Sequence, residues 1–271
     1  VAPGLDVETA LRAGQLLYYK DGPTGTVSVK ELTGHRALSI DGKVDASTAG
    51  DMLTQKLLAH LPLLVHEQPQ AVAIIGLGSG VTLAAALTHP IQAVDVLEIS
   101  GEVADASRFF SRGERSPLDD PRTRLIVTDG RTHMALSARQ YDVIVSEPSN
   151  PWMTGVASLF TREFFAAARA RLAPHGIICQ WVNTYDISTE DLQSVVATFA
   201  GVFPHGTMWL LGEGDLLLLG GDDPFDARLE TLARSWQRPG VGADLATVSV
   251  MEPFGLLSMF VGADAALARF G

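Results

Sequence analysis

The chain lacks the features that mark disulfide-rich, zinc-binding and membrane-spanning proteins. Only one of its 271 residues, Cys179, is a cysteine, so no internal disulfide is available and no paired Cys/His zinc motif is present. No apolar run approaches the roughly 18 residues that cross a bilayer, and no basic start precedes an apolar signal core. These absences predict a protein of a reducing compartment, and we expect a cytoplasmic location.

Positive charge is also scarce. The 20 Lys and Arg against 31 Asp and Glu give a net charge of -11. This sign is wrong for neutralising nucleic-acid phosphates, so we expect no nucleic-acid partner. A small cationic substrate suits such a field better. The seven histidines show no metal-ligand spacing, and we expect no metal.

The first part of the chain resembles a small antiparallel β unit followed by a helix. Short strand-like segments over residues 15–46 are separated by the turn signals Asp21-Gly22-Pro23 and Thr33-Gly34. Apolar residues at helical spacing over 48–61 predict an amphipathic helix that stops at Pro62. We therefore predict a small N-terminal β domain over residues 1–47 and a second domain over 48–271.

The second domain alternates apolar strands with helices from residue 71 onward. Continuous apolar strands joined by helices predict a doubly wound α/β domain with a parallel sheet of roughly seven strands, buried on both faces. The tail after residue 224 begins with a helical pattern and then becomes ambiguous. Ligands of such folds bind at the carboxyl edge of the sheet.

A glycine-rich turn and a carboxylate follow the first two strands of this domain. Gly76, Gly78 and Ser79 lie in the turn GLGSG, where glycine lets the backbone approach a ligand closely. The turn is shorter than a full dinucleotide fingerprint, and packing alone is the other explanation. Glu98 ends the second strand, where an acid accepts both hydroxyls of a ribose. The pair indicates nucleoside binding.

The next two strands end in further polar residues. Asp129-Gly130 follows the third strand, and a helix N-cap is the alternative interpretation of Asp129. The fourth strand ends in SEPSNPW, a stiff loop whose acid, Glu147, is placed to meet the reactive end of the ligand. A solvated loop acid is the alternative for Glu147.

Several motifs together resemble the spermidine synthase family of aminopropyltransferases. They cover about residues 15–220 and are, in order, LSIDGKVDAST, AHLPL, VAIIGLGSGVTL, VDVLEIS, VTDGR, YDVIVSEPSNPWMTGVASLFTREFF and GIICQW. The resemblance implies a Rossmann-like, methyltransferase-type domain behind a small antiparallel β domain. It also implies transfer of the aminopropyl group of decarboxylated S-adenosylmethionine to an amine, with release of methylthioadenosine.

The resemblance assigns roles to the residues expected to bind the nucleoside of the co-substrate, which we call the nucleoside half of the site. It implies that Glu98 holds the ribose and that Asp129 holds the adenine amino group. The turn glycines Gly76 and Gly78 match the family's glycine turn. Gln55 matches a glutamine that lies near the substrate cleft.

The residues expected to face the amine groups of the co-substrate and the acceptor depart from the family pattern. Ser79 stands where the family has an acid facing the free amine of the co-substrate, and Glu147 replaces an aspartate taken as the base. Asn150 stands where the family has a second loop acid. Thr54 replaces a tyrosine of the family pattern, and Asp45 replaces a glutamine. A serine at position 79 weakens discrimination against the α-carboxylate of intact S-adenosylmethionine. Either form of the co-substrate is therefore expected to fit.

The acceptor cleft is expected to hold a small cationic amine. Glu147 is the predicted catalytic base, because the chemistry needs an acceptor for the proton of the attacking nitrogen. Asn150 and Asp45 are predicted to bind the acceptor. Trp152 and Tyr185 are expected to line the cleft and hold a cation by their rings, with simple packing as the alternative.

Two other functions stay open at this point. The first is an enzyme that uses intact S-adenosylmethionine for methyl or aminocarboxypropyl transfer, or for release of methylthioadenosine without an acceptor. The second is a nucleoside-binding sensor without catalysis. The wording SEPSNPW with GVASLFT resembles a branch often fused to membrane-spanning segments, so we expect a longer parent protein. Family resemblance also implies a homo-oligomer.

Overall fold

The computed structural model describes residues 14–111, 113–149, 155–212, 214–226 and 228–271. Two sheets organise these residues. The first is antiparallel, and its strands, in spatial order, are β1 (Gln15–Gly22), β2 (Gly25–Leu32), β3 (His35–Ile40) and β4 (Lys43–Ser47). The second has eight strands, which in chain order are β5 (Ala71–Ile75), β6 (Ala93–Glu98), β7 (Thr123–Val127), β8 (Tyr141–Ser146), β9 (Leu172–Asn183), β10 (His205–Leu211), β11 (Asp215–Gly221) and β12 (Phe260–Ala263).

Helices connect and cover the strands. They are α1 (Met52–Val65), α2 (Val81–Leu87), α3 (Gly101–Ser107), α4 (Gly130–Leu136), α5 (Arg162–Ala170), α6 (Thr189–Ala200), α7 (Arg228–Trp236), α8 (Val241–Ala246), α9 (Pro253–Leu257) and α10 (Ala265–Phe270). Over the described ranges, no helix has both the length and the apolar character needed to cross a membrane.

The small sheet follows the predicted turns and buries one face. Thr33 and Gly34 have φ values of 50° and 81°, the left-handed backbone that a two-residue hairpin turn requires. Val27 and Val29 pack with α3 through Val103. The antiparallel unit expected from the sequence is therefore present, while a domain boundary at residue 47 stays a prediction.

The large sheet has the order β12-β10-β11-β9-β8-β5-β6-β7. Strands β9, β8, β5, β6 and β7 are parallel, as expected for a doubly wound domain. Strands β10, β11 and β12 are antiparallel, so the doubly wound sheet is mixed and has eight strands, where a parallel sheet of roughly seven was expected. The three residues between β10 and β11 can join only antiparallel neighbours, because a parallel pair needs a long crossover.

Each face of the large sheet is covered by its own helices. On one face, α1, α2, α7 and α8 pack against inward residues such as Ile74 and Val145. On the other face, α4, α5, α6 and α10 cover Ile75, Ile144 and Ile178. This two-sided burial explains why the strands read as continuous apolar runs.

Helix α1 does not stop at Pro62, and it is not amphipathic. It continues to Val65 with the proline inside, and every residue from Thr54 to Val65 is buried. An internal proline costs about 3 kcal/mol through the lost hydrogen bond and the clash of its ring. Burial of Leu61, Leu63 and other apolar side chains on all sides of the helix outweighs this cost.

His60 joins α1 to the C-terminal helices instead of capping the helix end. Its ring is fully buried, with Nδ1 at 2.9 Å from His89 Nε2 and Nε2 at 2.8 Å from Asp244 Oδ2. Burial holds the pKa of His89 well below its usual value, so that ring is neutral. Lys56 Nζ donates to the other oxygen of Asp244 at 2.6 Å. These polar contacts fix α8, in a region that the sequence left ambiguous.

The burial of α1 predicts a specific loss of stability. Leu63→Ala removes a side chain that is 0% exposed and should lower the free energy of unfolding by about 2 to 5 kcal/mol. Leu136→Ala, at a position that is 80% exposed, is the control and should change it by less than about 0.5 kcal/mol. Chemical denaturation of both variants measures the difference. Equal effects would contradict the buried position of α1.

Candidate active site

Four polar or glycine-rich segments meet at the carboxyl edge of the parallel strands. The glycine turn follows β5, and Glu98 is the last residue of β6. Asp129 comes shortly after β7, and Glu147 directly follows β8. Because β8, β5, β6 and β7 are neighbours in this order, the fold brings the sequence-predicted segments to one edge.

The glycine turn is required by a close backbone approach. Gly76 has a φ of +91°, and a Cβ atom there would lie 2.4 Å from the backbone oxygen of Glu147. Its N–H donates to Leu97 O at 2.9 Å, and Glu147 N–H donates to Ile75 O at 2.9 Å. Position 76 therefore touches both neighbouring strand ends, and only glycine fits without displacing the backbone of Glu147.

Glu98 is held by backbone donors on both oxygens. Leu77 N–H donates to Oε2 and Ser100 N–H donates to Oε1, each at 2.9 Å. The side chain is buried, and burial raises its pKa. Each carboxylate oxygen retains a lone pair for a ligand hydroxyl. The chemistry fits a ribose diol, and that role stays a prediction.

Asp129 caps helix α4, which was the alternative interpretation from the sequence. Its carboxylate accepts hydrogen bonds from Arg131 N–H at 3.2 Å and from Thr132 N–H at 3.1 Å. Capping does not use every lone pair, so contact with an adenine amino group stays a prediction. At Gly130, a Cβ atom would lie 2.4 Å from Ile75 Cγ2, which gives this glycine a packing reason.

Ser79 and Gln55 form a buried pair between the glycine turn and α1. The Ser79 hydroxyl donates to Gln55 Oε1, and Gln55 Nε2 donates to Ser47 O at 2.9 Å. Both side chains are buried. Gly78 lies against the same region, with its Cβ position 3.4 Å from Ala46 Cβ. These contacts fix the turn against the small sheet, while binding of the co-substrate by Gln55, Gly78 and Ser79 stays a prediction.

Among the described acids, Glu147 is the one whose pKa is most clearly displaced towards neutrality. Burial, together with the negative charges of Asp45, Asp51 and Asp215, raises its pKa to about 8. The hydroxyl of Thr82 lowers the value only in part. A carboxyl group with this pKa can take up and release a proton near neutral pH.

The hydrogen bonds around Thr82 fit a protonated Glu147. Thr82 Oγ1 lies 2.7 Å from Glu147 Oε2 and 2.9 Å from the backbone oxygen of Gln55. A hydroxyl has only one hydrogen to donate. When Glu147 is protonated it donates to Thr82, and Thr82 donates to Gln55. When Glu147 is ionised, Thr82 must turn its hydrogen to the carboxylate.

The predicted acceptor-binding residues are described only in part. Asn150 and Trp152 lie outside the described residues. Asp45 accepts a hydrogen bond from Ser149 Oγ at 2.7 Å, which ties β4 to the loop after β8, and burial raises its pKa. Tyr185 is 46% exposed, and burial of its hydroxyl raises its pKa.

One acid of this region was missed by the sequence analysis. Asp215, the first residue of β11, accepts hydrogen bonds from Thr54 Oγ1 at 2.5 Å and from Trp181 Nε1 at 2.9 Å. The available signal was a lone carboxylate before the apolar run over residues 216–219. That signal was weak, because a residue at the start of a strand reaches the carboxyl edge of the parallel strands only if its own strand is antiparallel. The sequence did not show that β11 is antiparallel.

Cys179 and the histidines were not predicted to belong to the site, and the structure shows where they lie. Cys179 is buried in β9, and burial raises the pKa of its thiol, which confirms the predicted core cysteine. In the part of the chain that the structure describes, no three His, Cys, Asp or Glu side chains are grouped so as to hold a metal ion.

An eight-stranded sheet with helices on both faces and a small antiparallel sheet at its start defines a Rossmann-like, methyltransferase-type α/β protein. The sequence profile of the Spermine/spermidine synthase domain matches residues 51–211. The chain belongs to the spermine/spermidine synthase family, and the resemblance drawn from its motifs is confirmed. Membership in the membrane-fused branch stays a prediction.

Similarity to individual proteins is consistent with membership in this family. The chain is 32% identical over 168 residues to the polyamine aminopropyltransferase of Bacillus subtilis (strain 168), covering 62% of this chain and 60% of that protein. It is 30% identical over 197 residues to putrescine N-methyltransferase 2 of Nicotiana tabacum, covering 72% and 56%. The crystal structure of Thermotoga maritima spermidine synthase superposes with a TM-score of 0.78 at 20% identity, covering 95% of this chain and 88% of that one. The match to the curated relatives therefore spans little more than half of their length.

The close approach at Gly76 predicts a steric effect beyond backbone strain. Gly76→Ala should lower the free energy of unfolding by about 2 to 4 kcal/mol, because the new methyl group meets the Glu147 carbonyl. Gly34→Ala is the matched control, since Gly34 has a φ of +81° but nothing within 4 Å of its Cβ position. It should cost only the left-handed backbone penalty of about 1 to 2 kcal/mol. Equal losses in urea titrations would rule out the clash.

The raised pKa of Glu147 predicts that replacing this residue by glutamine stabilises the protein, by an amount that increases with pH. Between pH 4.5 and about 8 the folded protein binds this proton more tightly than the unfolded chain, so the wild type loses stability as pH rises. Glu147→Gln abolishes that loss. Its free energy of unfolding should equal that of the wild type below pH 4.5 and exceed it by about 1 to 3 kcal/mol above pH 8.

Denaturation curves at several pH values measure this difference. Glu114→Gln, which removes an exposed carboxylate, is the control and should stay within about 0.5 kcal/mol of the wild type throughout. A gain for Glu147→Gln that does not depend on pH would show that the pKa of this carboxyl group is not raised in the folded protein.

Proposed function

We propose that the protein transfers the aminopropyl group of decarboxylated S-adenosylmethionine to a small amine and releases methylthioadenosine. The observation that carries this proposal is Glu147, a partly buried carboxyl group with a pKa raised to about 8 at the carboxyl edge of the sheet. It follows the strand next to the glycine turn, so a nucleoside bound on that turn and an amine at Glu147 would be adjacent. Family membership supports the same reaction.

The nucleoside half binds and orients the sulfonium co-substrate. Glu98, fixed by two backbone donors, accepts the ribose hydroxyls. Asp129 accepts from the adenine amino group with the lone pairs that capping leaves free. Gly76 and Gly78 keep the turn free of side chains where the nucleoside crosses it.

The reaction needs orientation and one proton acceptor. The amine nitrogen attacks the carbon next to sulfur, a C–N bond forms, and the C–S bond breaks with its electron pair going to sulfur. The sulfonium becomes the neutral thioether of methylthioadenosine, and the proton of the attacking nitrogen passes to Glu147. Thr82 then turns its hydroxyl hydrogen from Glu147 to the Gln55 carbonyl, which matches the two contacts of that hydroxyl.

The acceptor is a small cationic amine, and a diamine such as putrescine suits the charge of this region best. Asp45 and Asp51 raise the pKa of Glu147, so their negative charge reaches the reacting end. Tyr185 offers a partly exposed ring for a cation. Roles for Asn150 and Trp152 in the same cleft remain part of the proposal. Cytoplasmic location, homo-oligomerisation and fusion to membrane-spanning segments stay predictions.

Release of methylthioadenosine tests the proposal. Purified protein is offered S-adenosylmethionine or its decarboxylated form, each with and without putrescine. Release should require both the decarboxylated form and putrescine. Glu147→Gln should lower kcat by about 10²- to 10⁴-fold, as expected for loss of a general base, while nucleoside binding measured by calorimetry stays unchanged.

The other results point elsewhere. Release from intact S-adenosylmethionine would mean that loss of the acid at position 79 has changed the reaction. Methylated putrescine would indicate a methyltransferase, the activity named for the Nicotiana tabacum relative. Nucleoside binding without turnover under any condition would favour a sensor.

A further inference from the structure

We infer that Asp215 is the anion that holds the distal ammonium of a diamine acceptor and so determines specificity for diamines. This inference rests on the proposed function, because it assigns the far end of the acceptor whose near end is deprotonated at Glu147. Asp215 lies on β11, outside every motif that carries the family resemblance.

The carboxylate of Asp215 is fixed by two neutral donors. Thr54 Oγ1 donates to Oδ2 at 2.5 Å, and Trp181 Nε1 donates to Oδ1 at 2.9 Å. Thr54 itself is buried in the first turn of α1. Each carboxylate oxygen retains a lone pair, so the group is oriented and still able to accept from a cation.

Among the residues that the structure describes, no cationic side chain neutralises this carboxylate. Within the described ranges, Asp215 forms no ion pair with Lys, Arg or His, whereas Asp244, which is also partly buried, is paired with Lys56. A partly buried carboxylate without a counter-ion favours binding of an external cation. A primary ammonium, with three N–H donors, matches this need.

A second, independent feature beside Asp215 is a buried side-chain oxygen without a hydrogen-bond donor. Asn183 is 0% exposed, and its Oδ1 has no hydrogen-bond partner among the described residues. It pairs directly with Asp215 in the β9–β11 ladder, so the two side chains lie on the same face of the sheet. A buried acceptor without a donor is costly unless a ligand supplies one. An ammonium held by Asp215 is such a donor.

Asp215 and Glu147 are both linked by hydrogen bonds to the first turn of α1, Asp215 directly and Glu147 through Thr82. Thr54 contacts Asp215, and the carbonyl of the next residue, Gln55, accepts from the Thr82 hydroxyl that also contacts Glu147. The charge of Asp215 contributes to the raised pKa of Glu147. One amine nitrogen at Glu147 and a second at Asp215 would therefore belong to the same acceptor molecule.

Substitution of Asp215 by asparagine tests this assignment with two acceptors. Asp215→Asn keeps the size and one acceptor oxygen but removes the charge. KM for putrescine should rise about 10- to 100-fold, as expected for loss of a charged hydrogen bond, with kcat changed less than about threefold. For n-butylamine, which lacks the second ammonium, kcat/KM should change less than about threefold, which allows for the contribution of the Asp215 charge to the pKa of Glu147. Asp222→Asn, an exposed acid just after the same strand, is the control and should affect neither amine.

The outcomes separate this inference from the proposed function. If wild-type protein transfers the aminopropyl group but Asp215→Asn affects both amines equally, or neither, the assignment of Asp215 is wrong and the reaction stands. If wild-type protein shows no transfer, the proposed reaction fails, and the role of Asp215 is then tested by calorimetry alone. Weaker binding of putrescine to Asp215→Asn than to wild type, with unchanged binding of n-butylamine, supports the assignment. Equal binding of putrescine to the two proteins overturns it. If Asp215→Asn does not fold, Asp215→Glu, which keeps the charge, is used instead. A KM for putrescine within about threefold of the wild-type value supports a charge-based role. Loss of the preference for putrescine over n-butylamine overturns it.

Discussion

The backbone oxygen of Glu147 occupies the place where a side chain at position 76 would be, and the geometry of the candidate site depends on this contact. Gly76 lies between two strand ends, with its N–H bonded to Leu97 on one side and its Cα facing Glu147 on the other. The same turn donates the Leu77 N–H to Glu98. One glycine therefore sets how closely the proposed ribose-binding acid and the proposed base approach each other.

Charge is the second constraint on the site. Glu147, Asp45 and Asp215 are brought together, and their mutual repulsion adds to the effect of burial in raising the pKa of Glu147. This arrangement is unfavourable for the isolated protein and becomes favourable when a cation binds. A sulfonium and an ammonium are both cations, so the proposed reactants supply what the protein lacks. The net charge of -11 points in the same direction over longer distances.

Helix α1 contacts both the candidate site and the C-terminal helices. Its first turn provides Thr54 and Gln55 to the site, and its middle turn provides His60 to the polar contacts with Asp244. Its complete burial explains how it tolerates Pro62. The C-terminal helices are thus fixed to the same element that contributes to the proposed acceptor cleft, through a different set of side chains.

The sequence by itself determined the doubly wound domain, the small antiparallel sheet and the edge at which Glu98, Asp129 and Glu147 meet. These follow from local signals: strand periodicity, glycine turns and the rule that parallel strands place their carboxyl ends together. Only the tertiary structure decided the continuation of α1 through Pro62, the antiparallel strands β10 to β12, and the positions of Asp215 and His60. Each of these depends on contacts between residues far apart in the chain, such as Thr54 with Asp215 and His60 with Asp244, and local sequence patterns carry no record of such contacts.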